Sequence, residues 1–271
     1  IKDSIFNEDS IINPDHFLRL NLNEIKTSEK NYISYFSINI NNSKITTIKK
    51  DFDELISIIQ YDIKTKQTKI IYKSNFIYPE YVNSTDKYIT WTEMKPHHRY
   101  ELCNYSIIKI YDIDNNKIFS LNKNFKCIFP YISKSNNLIT FIEFDEFLNN
   151  YLVVYDLSKN SYLQKIKSIS NFELQYPIID EKNENIYVIA NSDSGKFILK
   201  YNIIFREWTK LSGPFYFDIS NIHIWKNFIL FNSNILKHEN IFLFNLSNKK
   251  IYQLTNYSQS VSNPVVSNDT L

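Results

Sequence analysis

Two glycines stand in 271 residues, in Asp193-Ser194-Gly195-Lys196 and Ser212-Gly213-Pro214. That scarcity excludes a glycine-rich phosphate loop and a Gly-x-Ser-x-Gly nucleophile elbow. It also forces most turns onto Asn, Asp, Ser and Lys. Asn and Asp tolerate the left-handed backbone and bond to nearby main chain, so they can replace glycine there. Cysteine is almost as scarce, with Cys103 and Cys127 alone. One pair is no disulfide framework, and both are expected as separate, half-buried thiols in or beside strands of one repeat. A charge bias is missing too: 31 basic and 29 acidic residues give a net charge of +2, so there is no electrostatic footprint for nucleic acid. Lys49-Lys50, followed by Asp51 and Asp53, and Lys249-Lys250 read as solvated turns. No run approaches the roughly 18 apolar residues of a membrane span. No basic start leads into an apolar signal segment. The chain opens at Ile1, as expected of a mature or excised piece. No His-Glu-x-x-His occurs, and no cofactor or metal is implied.

What is abundant points to strands. The chain is 43% hydrophobic and 16% aromatic, with 20 Tyr and 20 Phe, and aromatic and β-branched side chains pack well on a pleated surface. One short pattern recurs, an aromatic residue, then Asp or Asn, then an aliphatic. Its copies are Tyr61-Asp62-Ile63, Tyr111-Asp112-Ile113, Tyr155-Asp156-Leu157, Tyr201-Asn202-Ile203 and Phe244-Asn245-Leu246, spaced 50, 44, 46 and 43 residues apart. Each is followed by a polar turn and a short strand. A segment centred on Pro79, Pro130, Pro177 or Pro264 comes next, then a buried strand such as Tyr88-Ile89-Thr90-Trp91 or Leu138-Ile139-Thr140-Phe141. Four-stranded propeller blades need about 40 to 50 residues each. Stacking such blades buries both faces of every sheet and leaves only short edges.

The reading is therefore all-β: residues 1–271 form a single β-propeller domain of four-stranded antiparallel blades, with about five full blades and a partial sixth. Outer strands are expected near residues 68–73, 117–121, 161–166, 207–211 and 251–254. The sixth blade begins at Asn263-Pro264-Val265-Val266 and stops at Leu271. Either residues 1–12 supply a strand to that broken blade or the chain is a fragment of a longer one.

The repeat resembles the TolB-like, WD-related propeller repeat of bacterial envelope proteins. The similarity is clearest in Asn240-Ile241-Phe242-Leu243-Phe244-Asn245-Leu246, Gln253-Leu254-Thr255 and Asn263-Pro264-Val265-Val266-Ser267-Asn268-Asp269. The family's Pro-Asp-Gly turn is replaced by Ser84-Thr85-Asp86-Lys87, Ser133-Lys134-Ser135-Asn136 and Asp180-Glu181-Lys182-Asn183. The stretch from Trp91 to Asp112 is similar to a segment of large Bacteroidetes envelope proteins. The resemblance implies a periplasmic or outer-membrane-associated location, a protein or cell-envelope partner, and a non-catalytic binding scaffold. Its alternative is a propeller that gates access to a peptidase or other hydrolase domain.

Few side chains stand out as a site. Trp91 is read as the end of one strand, and the next apolar run starts near Ile107, so the segment between is expected to project as a long loop. Lys95, His97, His98, Arg99 and Tyr100 on that loop are the candidate partner-binding residues, with Arg99 foremost because a guanidinium can hold a carboxylate through two hydrogen bonds. Adjacent histidines are poorly arranged to share a metal. Glu143, Asp145 and Glu146 are read as a strand end and a solvated turn, with glycoside hydrolysis the weaker option. Trp91, Trp208 and Trp225 are expected in the core between blades.

Overall fold

The computed structural model describes residues 11–12, 33–74, 79–96, 104–121, 126–236, 238–257 and 260–266. Among them the chain forms antiparallel meanders of four strands. The first is β2 (Ser34–Asn41), β3 (Lys44–Lys50), β4 (Ser57–Asp62) and β5 (Gln67–Lys73). Next come β6 (Pro79–Ser84), β7 (Tyr88–Pro96), β8 (Asn104–Asp112) and β9 (Lys117–Ser120). The third is β10 (Lys126–Ile132), β11 (Leu138–Phe144), β12 (Asn150–Asp156) and β13 (Ser161–Lys167), and the fourth is β14 (Glu173–Ile179), β15 (Asn185–Ser192), β16 (Gly195–Asn202) and β17 (Glu207–Phe215). The fifth is β18 (Ile219–Trp225), β19 (Phe228–Leu236), β20 (His238–Asn245) and β21 (Ile251–Gln253). One parallel pair, Lys126 with Ser106, joins the second meander to the third. The strand β1 (Ile11–Ile12) lies parallel to β21. Residues 11–12 thus extend the fifth sheet at its outer edge rather than completing a sixth.

The recurring aromatic–Asp/Asn–aliphatic triplet is the turn between the third and fourth strands of each meander. Its Asp or Asn side chain accepts the backbone N–H groups that the turn leaves unpaired. Asp62 takes Lys64 and Thr65 at 2.8 and 3.3 Å, and Asp156 takes Ser158 and Lys159 at 2.9 and 3.1 Å. Asn202 takes Ile204 and Phe205 at 3.0 and 2.8 Å, and Asn245 takes Ser247 and Asn248 at 2.8 and 3.3 Å. This is the local bond for which Asp and Asn are favoured in turns. Each turn closes on a left-handed residue: Lys66, Asn116, Asn160, Arg206 and Lys249. The aliphatic member donates its N–H to the turn between the first and second strands, as Ile63 to Ser43, Ile113 to Lys87, Leu157 to Asn137, Ile203 to Glu184 and Leu246 to Asn227. The aromatic member is anchored as well, with the Tyr155 hydroxyl donating to Asn160 Oδ1 at 2.9 Å. The repeat thus survives as a hydrogen-bonding requirement, in a chain that does not supply glycine.

The first strand of every meander is interrupted at one equivalent place. Two residues oppose one of the second strand: 37–38 face Thr47, 81–82 face Trp91, 129–130 face Phe141, 176–177 face Val188 and 221–222 face Phe231. The first residue of each pair is left-handed, at Ser37, Tyr81, Phe129, Tyr176 and Asn221, and Asn263 adopts the same conformation farther on. The extra residue of a β-bulge needs no ladder partner, so proline is tolerated there. Pro130, Pro177 and Pro264 hold this second position. Pro130 and Pro177 therefore sit inside the bulge rather than at a strand start, Pro264 follows a left-handed residue without a described strand around it, and Pro79, two residues before Tyr81, is not their equivalent. Where the second residue keeps its N–H, as Val82 does, the bond goes to Ser37 Oγ at 2.7 Å.

Successive meanders bury their faces against one another. Ile48, Ile58, Val82, Ile89, Trp91 and Tyr111 fill the space between the first and second. Cys127, Phe141 and Val153 meet Ile108 and Ile110 between the second and third. Leu152 and Val154 meet Leu174 and Val188 between the third and fourth, and Ile198 and Phe215 meet Phe231 and Phe242 between the fourth and fifth. The free face of the fifth is covered by Val261 and Val266. Each fully buried side chain of this size contributes about 1.5–3 kcal/mol relative to exposure. The two glycines occupy adjoining strands. A Cβ on Gly195 would lie 2.7 Å from the Phe215 carbonyl oxygen, and one on Gly213 would lie 2.7 Å from that of Lys196.

The turn carboxyls carry a pH signature. Asp62, Asp112 and Asp156 are held below the usual carboxylate range, chiefly by the backbone N–H of Lys64, the side-chain amide of Asn115 and the hydroxyl of Ser158 respectively. Folding favours the ionised form of such a group. Its contribution is complete above the ordinary value of 3.8 and is lost as pH falls through the lower folded-state value. Asp156→Asn, which copies Asn202 and Asn245, is expected to keep the melting temperature at pH 7 and flatten its decline below about pH 4. Asp156→Ala is expected to lower it throughout. Thermal denaturation followed from neutral to acid pH measures both, and a steeper acid decline in the Asn variant contradicts the assignment.

Candidate binding face

The left-handed bulge residues bring six segments of the chain together. Ser37, Tyr81, Phe129, Tyr176, Asn221 and Asn263, with their neighbours, line one narrow cavity of about 100 Å³. Half of this ring is aromatic. The Phe129 ring lies 4.3 Å from those of both Tyr81 and Tyr176, centre to centre, and the two tyrosines meet edge-on at 6.2 Å. The other half is small and polar, with Asn221 Nδ2 donating to Asn263 Oδ1 at 3.0 Å. Amides two residues past the bulge link adjacent sheets. Asn39 Oδ1 accepts from the Ser84 N–H at 3.2 Å and its hydroxyl at 2.8 Å, and Asn83 Oδ1 accepts the Ile132 N–H at 2.9 Å.

The narrow cavity adjoins a wider one on each side. Residues at and before the bulge, Phe36, Glu80, Tyr81 and Tyr176 among them, together with Lys50 of β3, line a cavity of about 460 Å³. Residues after it line one of about 580 Å³, among them Lys134, Asp180, Glu181, His223, Trp225 and Lys226. Strand direction places the β3–β4 and β11–β12 connections on the side of the first of these. Large apolar side chains stand out there: Phe52 is 88% exposed, Phe147 is 85% exposed and Leu148 is also open to solvent.

Of the residues singled out from sequence, Lys95 is described and is partly buried near the end of β7, opposite Tyr105. His97, His98, Arg99 and Tyr100 lie outside the described residues. Trp91 does not end its strand. The ladder runs on to Pro96, which pairs with Asn104, because Thr92–Lys95 continue the alternation with Tyr105–Ile108. Trp91 is fully buried, as expected of a core residue, while Trp208 packs on Tyr201 and Trp225 on Phe228. Glu143 corrects the solvated-turn reading. It lies within β11, 2% exposed, and its carboxylate takes the Tyr162 hydroxyl at 2.8 Å and the Lys165 ammonium. Glu93 is its counterpart in the preceding sheet, accepting the Trp91 indole N–H at 2.9 Å. Asp145 is a turn residue, bonded to the N–H groups of Phe147 and Asn149 at 2.9 Å. These carboxylates are held by structural bonds. Cys127 is a free, fully buried thiol rather than a half-buried one, and Cys103 lies outside the described residues. Among the described residues no group of three or more His, Cys, Asp or Glu could hold a metal ion, and no helix is long and apolar enough to cross a membrane.

No family model matches the sequence, and no curated protein matches it. Solved structures do. TolB from Acinetobacter baumannii superimposes with a TM-score of 0.67 at 11% identity, over 86% of this chain and 57% of that one. The β-propeller domain of the trilobed protease from Pyrococcus furiosus, described as having an open velcro topology, gives 0.57 at 8% identity, over 87% and 89%. The tricorn protease gives 0.58 at 13%, over 79% and 25%. The fold is a β-propeller. The propeller here spans a little over half of the A. baumannii TolB chain, and identities this low speak to fold alone. The repeat of this propeller is legible in the sequence, but its axial residues are not. Their signal was the pair formed by a left-handed residue and its successor, visible in Phe129-Pro130, Tyr176-Pro177 and Asn263-Pro264.

His223 lies between the narrow cavity and the larger one behind it. Burial, reinforced by Lys134, pushes its imidazole from 6.5 down to about 4. The unfolded chain therefore takes up a proton that the folded chain resists. Stability is expected to be complete above pH 6.5 and to fall as the pH drops toward 4. His223→Gln should remove much of that slope, and urea denaturation at pH 7, 5.5 and 4.5 would reveal an unchanged slope if the assignment is wrong. Glu143→Ala is expected to cost about 2 kcal/mol, because it removes the buried acceptor of the Tyr162 hydroxyl and one partner of Lys165. Equilibrium denaturation at neutral pH checks the magnitude.

Proposed function

We propose that this chain is a non-catalytic TolB-like propeller, a scaffold of the bacterial envelope that binds a protein or cell-envelope partner on the face where the 460 Å³ cavity opens. The observation that carries this reading is the convergence of all the repeats on one aromatic-and-amide axis, with exposed Phe52, Phe147 and Leu148 beside its mouth. Concave sites of this size, mostly apolar with a few polar groups, are the usual form of a binding site. The reading includes five full blades, with Asn263–Val265 in the inner-strand place of a sixth. The envelope location rests on the likeness of the repeat to the TolB-like pattern. The segment from Lys95 to Tyr100 is assigned to partner contact on its sequence alone, for its run of Lys, His and Arg after β7.

A second reading has support in the resemblance to propellers of proteases. In it the same mouth admits substrate to a hydrolase domain carried by the same polypeptide.

Site-specific photo-crosslinking separates the two. A crosslinker at Leu148 or Lys95 is expected to capture a separate envelope partner, while one at Phe205, in the turn on the opposite face, should not. Capture of a peptidase domain of the same polypeptide supports gating. Equal capture from both faces, or substrate turnover abolished by mutations within this chain, would overturn the scaffold reading. Joint replacement of Lys95, His97, His98 and Arg99 by Ala is expected to abolish partner capture at an unchanged melting temperature. A lowered melting temperature with capture intact would make that segment structural.

A further inference from the structure

The 460 Å³ cavity beside Tyr81 and Tyr176 is mainly aromatic and acceptor-lined. The side-chain amide donors of Asn221 and Asn263 are already engaged. The Asn221 amide nitrogen is bound to Asn263 Oδ1 at 3.0 Å, and that of Asn263 to Ser262 Oγ at 3.3 Å. One carboxylate, two phenol hydroxyls that can accept as well as donate, and the ring faces remain. The Glu80 carboxylate and the hydroxyls of Tyr81 and Tyr176 have no hydrogen bond or ion pair among the described residues. The two tyrosines belong to the aromatic group around Phe129, at 4.3 Å from it, and are held there by the left-handed bulges.

The surrounding charges run the same way. Burial and then Glu80 push the Tyr81 hydroxyl up to about 12. Burial, Tyr81, Asp218, Glu239 and Glu80 together push that of Tyr176 up. Asp218 is paired with Lys196, and Glu239 accepts from Asn232 at 3.0 Å. Lys50 is the opposing charge. It lines the cavity from β3, one strand out from the axial strands, and is engaged with a partner of its own. An electron-rich wall of ring faces and carboxylate favours a hydrogen-bond-donating cation.

We infer that this cavity takes a protonated basic group, the guanidinium or ammonium of an arginine or lysine side chain on the partner. The aromatic faces would cover its alkyl stem and cationic plane, and Glu80 and the Asn221 carbonyl oxygen would accept its hydrogens. The inference rests on the reading that this mouth is where the partner binds, and it names the chemistry of the contact.

The test is calorimetric titration of the purified chain with acetyl-Gly-Arg-Gly-amide, its lysine counterpart and the neutral citrulline analogue. The arginine or the lysine peptide is expected to bind, about tenfold more tightly than citrulline, and more weakly as salt is raised. Glu80 and Lys50 are both exposed, so Glu80→Gln and Lys50→Met are expected to fold normally, with circular dichroism as the check. Glu80→Gln should weaken binding, and Lys50→Met should tighten it by removing a like charge. Equal affinity for citrulline, weaker binding by Lys50→Met, or no binding of either basic peptide at millimolar concentration would overturn the inference. If those failures coincide with partner capture at Leu148, only the cationic assignment falls. If capture at that face fails as well, the scaffold reading falls with it.

Discussion

The bulge in the first strand of each sheet is the constraint on which the rest of the architecture depends. A left-handed conformation costs an ordinary residue about 1–2 kcal/mol, yet Tyr81, Phe129 and Tyr176 all adopt it. The compensation lies on both sides of the strand. Opposite the bulge, Trp91, Phe141, Val188 and Phe231 are buried between sheets. Toward the axis, the extra residue turns its side chain into the ring that the repeats share. Straightening one bulge would shift its strand by a residue and exchange core side chains for solvent-facing ones. The axial cavity and the cores between sheets are therefore two results of one backbone device.

How legible each layer was in the sequence follows from its chemistry. The turn triplets were legible because their Asp or Asn has a bond to make in every copy, and the same hydrogen bonds recur from Asp62 to Asn245. The outer strands fall close to where spacing put them. The inner strands were harder. A bulge breaks the alternation on which strand reading relies, so Pro79 passed for a counterpart of Pro130. The reach of β7 was missed for a different reason: Thr92 to Lys95 look like the start of a polar loop, although they pair with β8 as far as Pro96. Glu143 looked solvated because its partners, Tyr162 and Lys165, lie two strands away in the sequence. The axial site was least legible of all, since Ser, Tyr, Phe and Asn at equivalent positions share a backbone conformation rather than a side-chain type.

The distribution of polar groups separates structure from contact. Glu93 and Glu143 are buried and bonded to Trp91, Tyr162 and Lys165, and they tie strands together. Lys134 and Glu181 form an ion pair across the exposed turns of neighbouring sheets, where such pairs contribute little. Glu80, by contrast, lines the 460 Å³ cavity beside tyrosine hydroxyls that have no hydrogen bond among the described residues. Loops on that side also expose Phe52 and Phe147, whereas Ile204 and Phe205 are open on the opposite face. Exposed apolar side chains thus flank both ends of the axis, and the ends differ in their cavities, aromatic beside Glu80 and charged around Lys134, Asp180 and Glu181.

The near-absence of glycine acts on the unfolded chain as well. Left-handed turn positions that glycine could fill are held by Asn42, Asn116, Asn136, Asn160 and Asn183. A residue with a Cβ samples fewer backbone states when unfolded than glycine does, and where it tolerates the native conformation it leaves less disorder to be lost on folding. The effect is about 0.4–1 kcal/mol for a strain-free glycine-to-alanine exchange. At a left-handed asparagine it is partly offset by residual strain. Repeated over many turns, it makes the denatured ensemble less favourable without adding a single contact to the folded propeller.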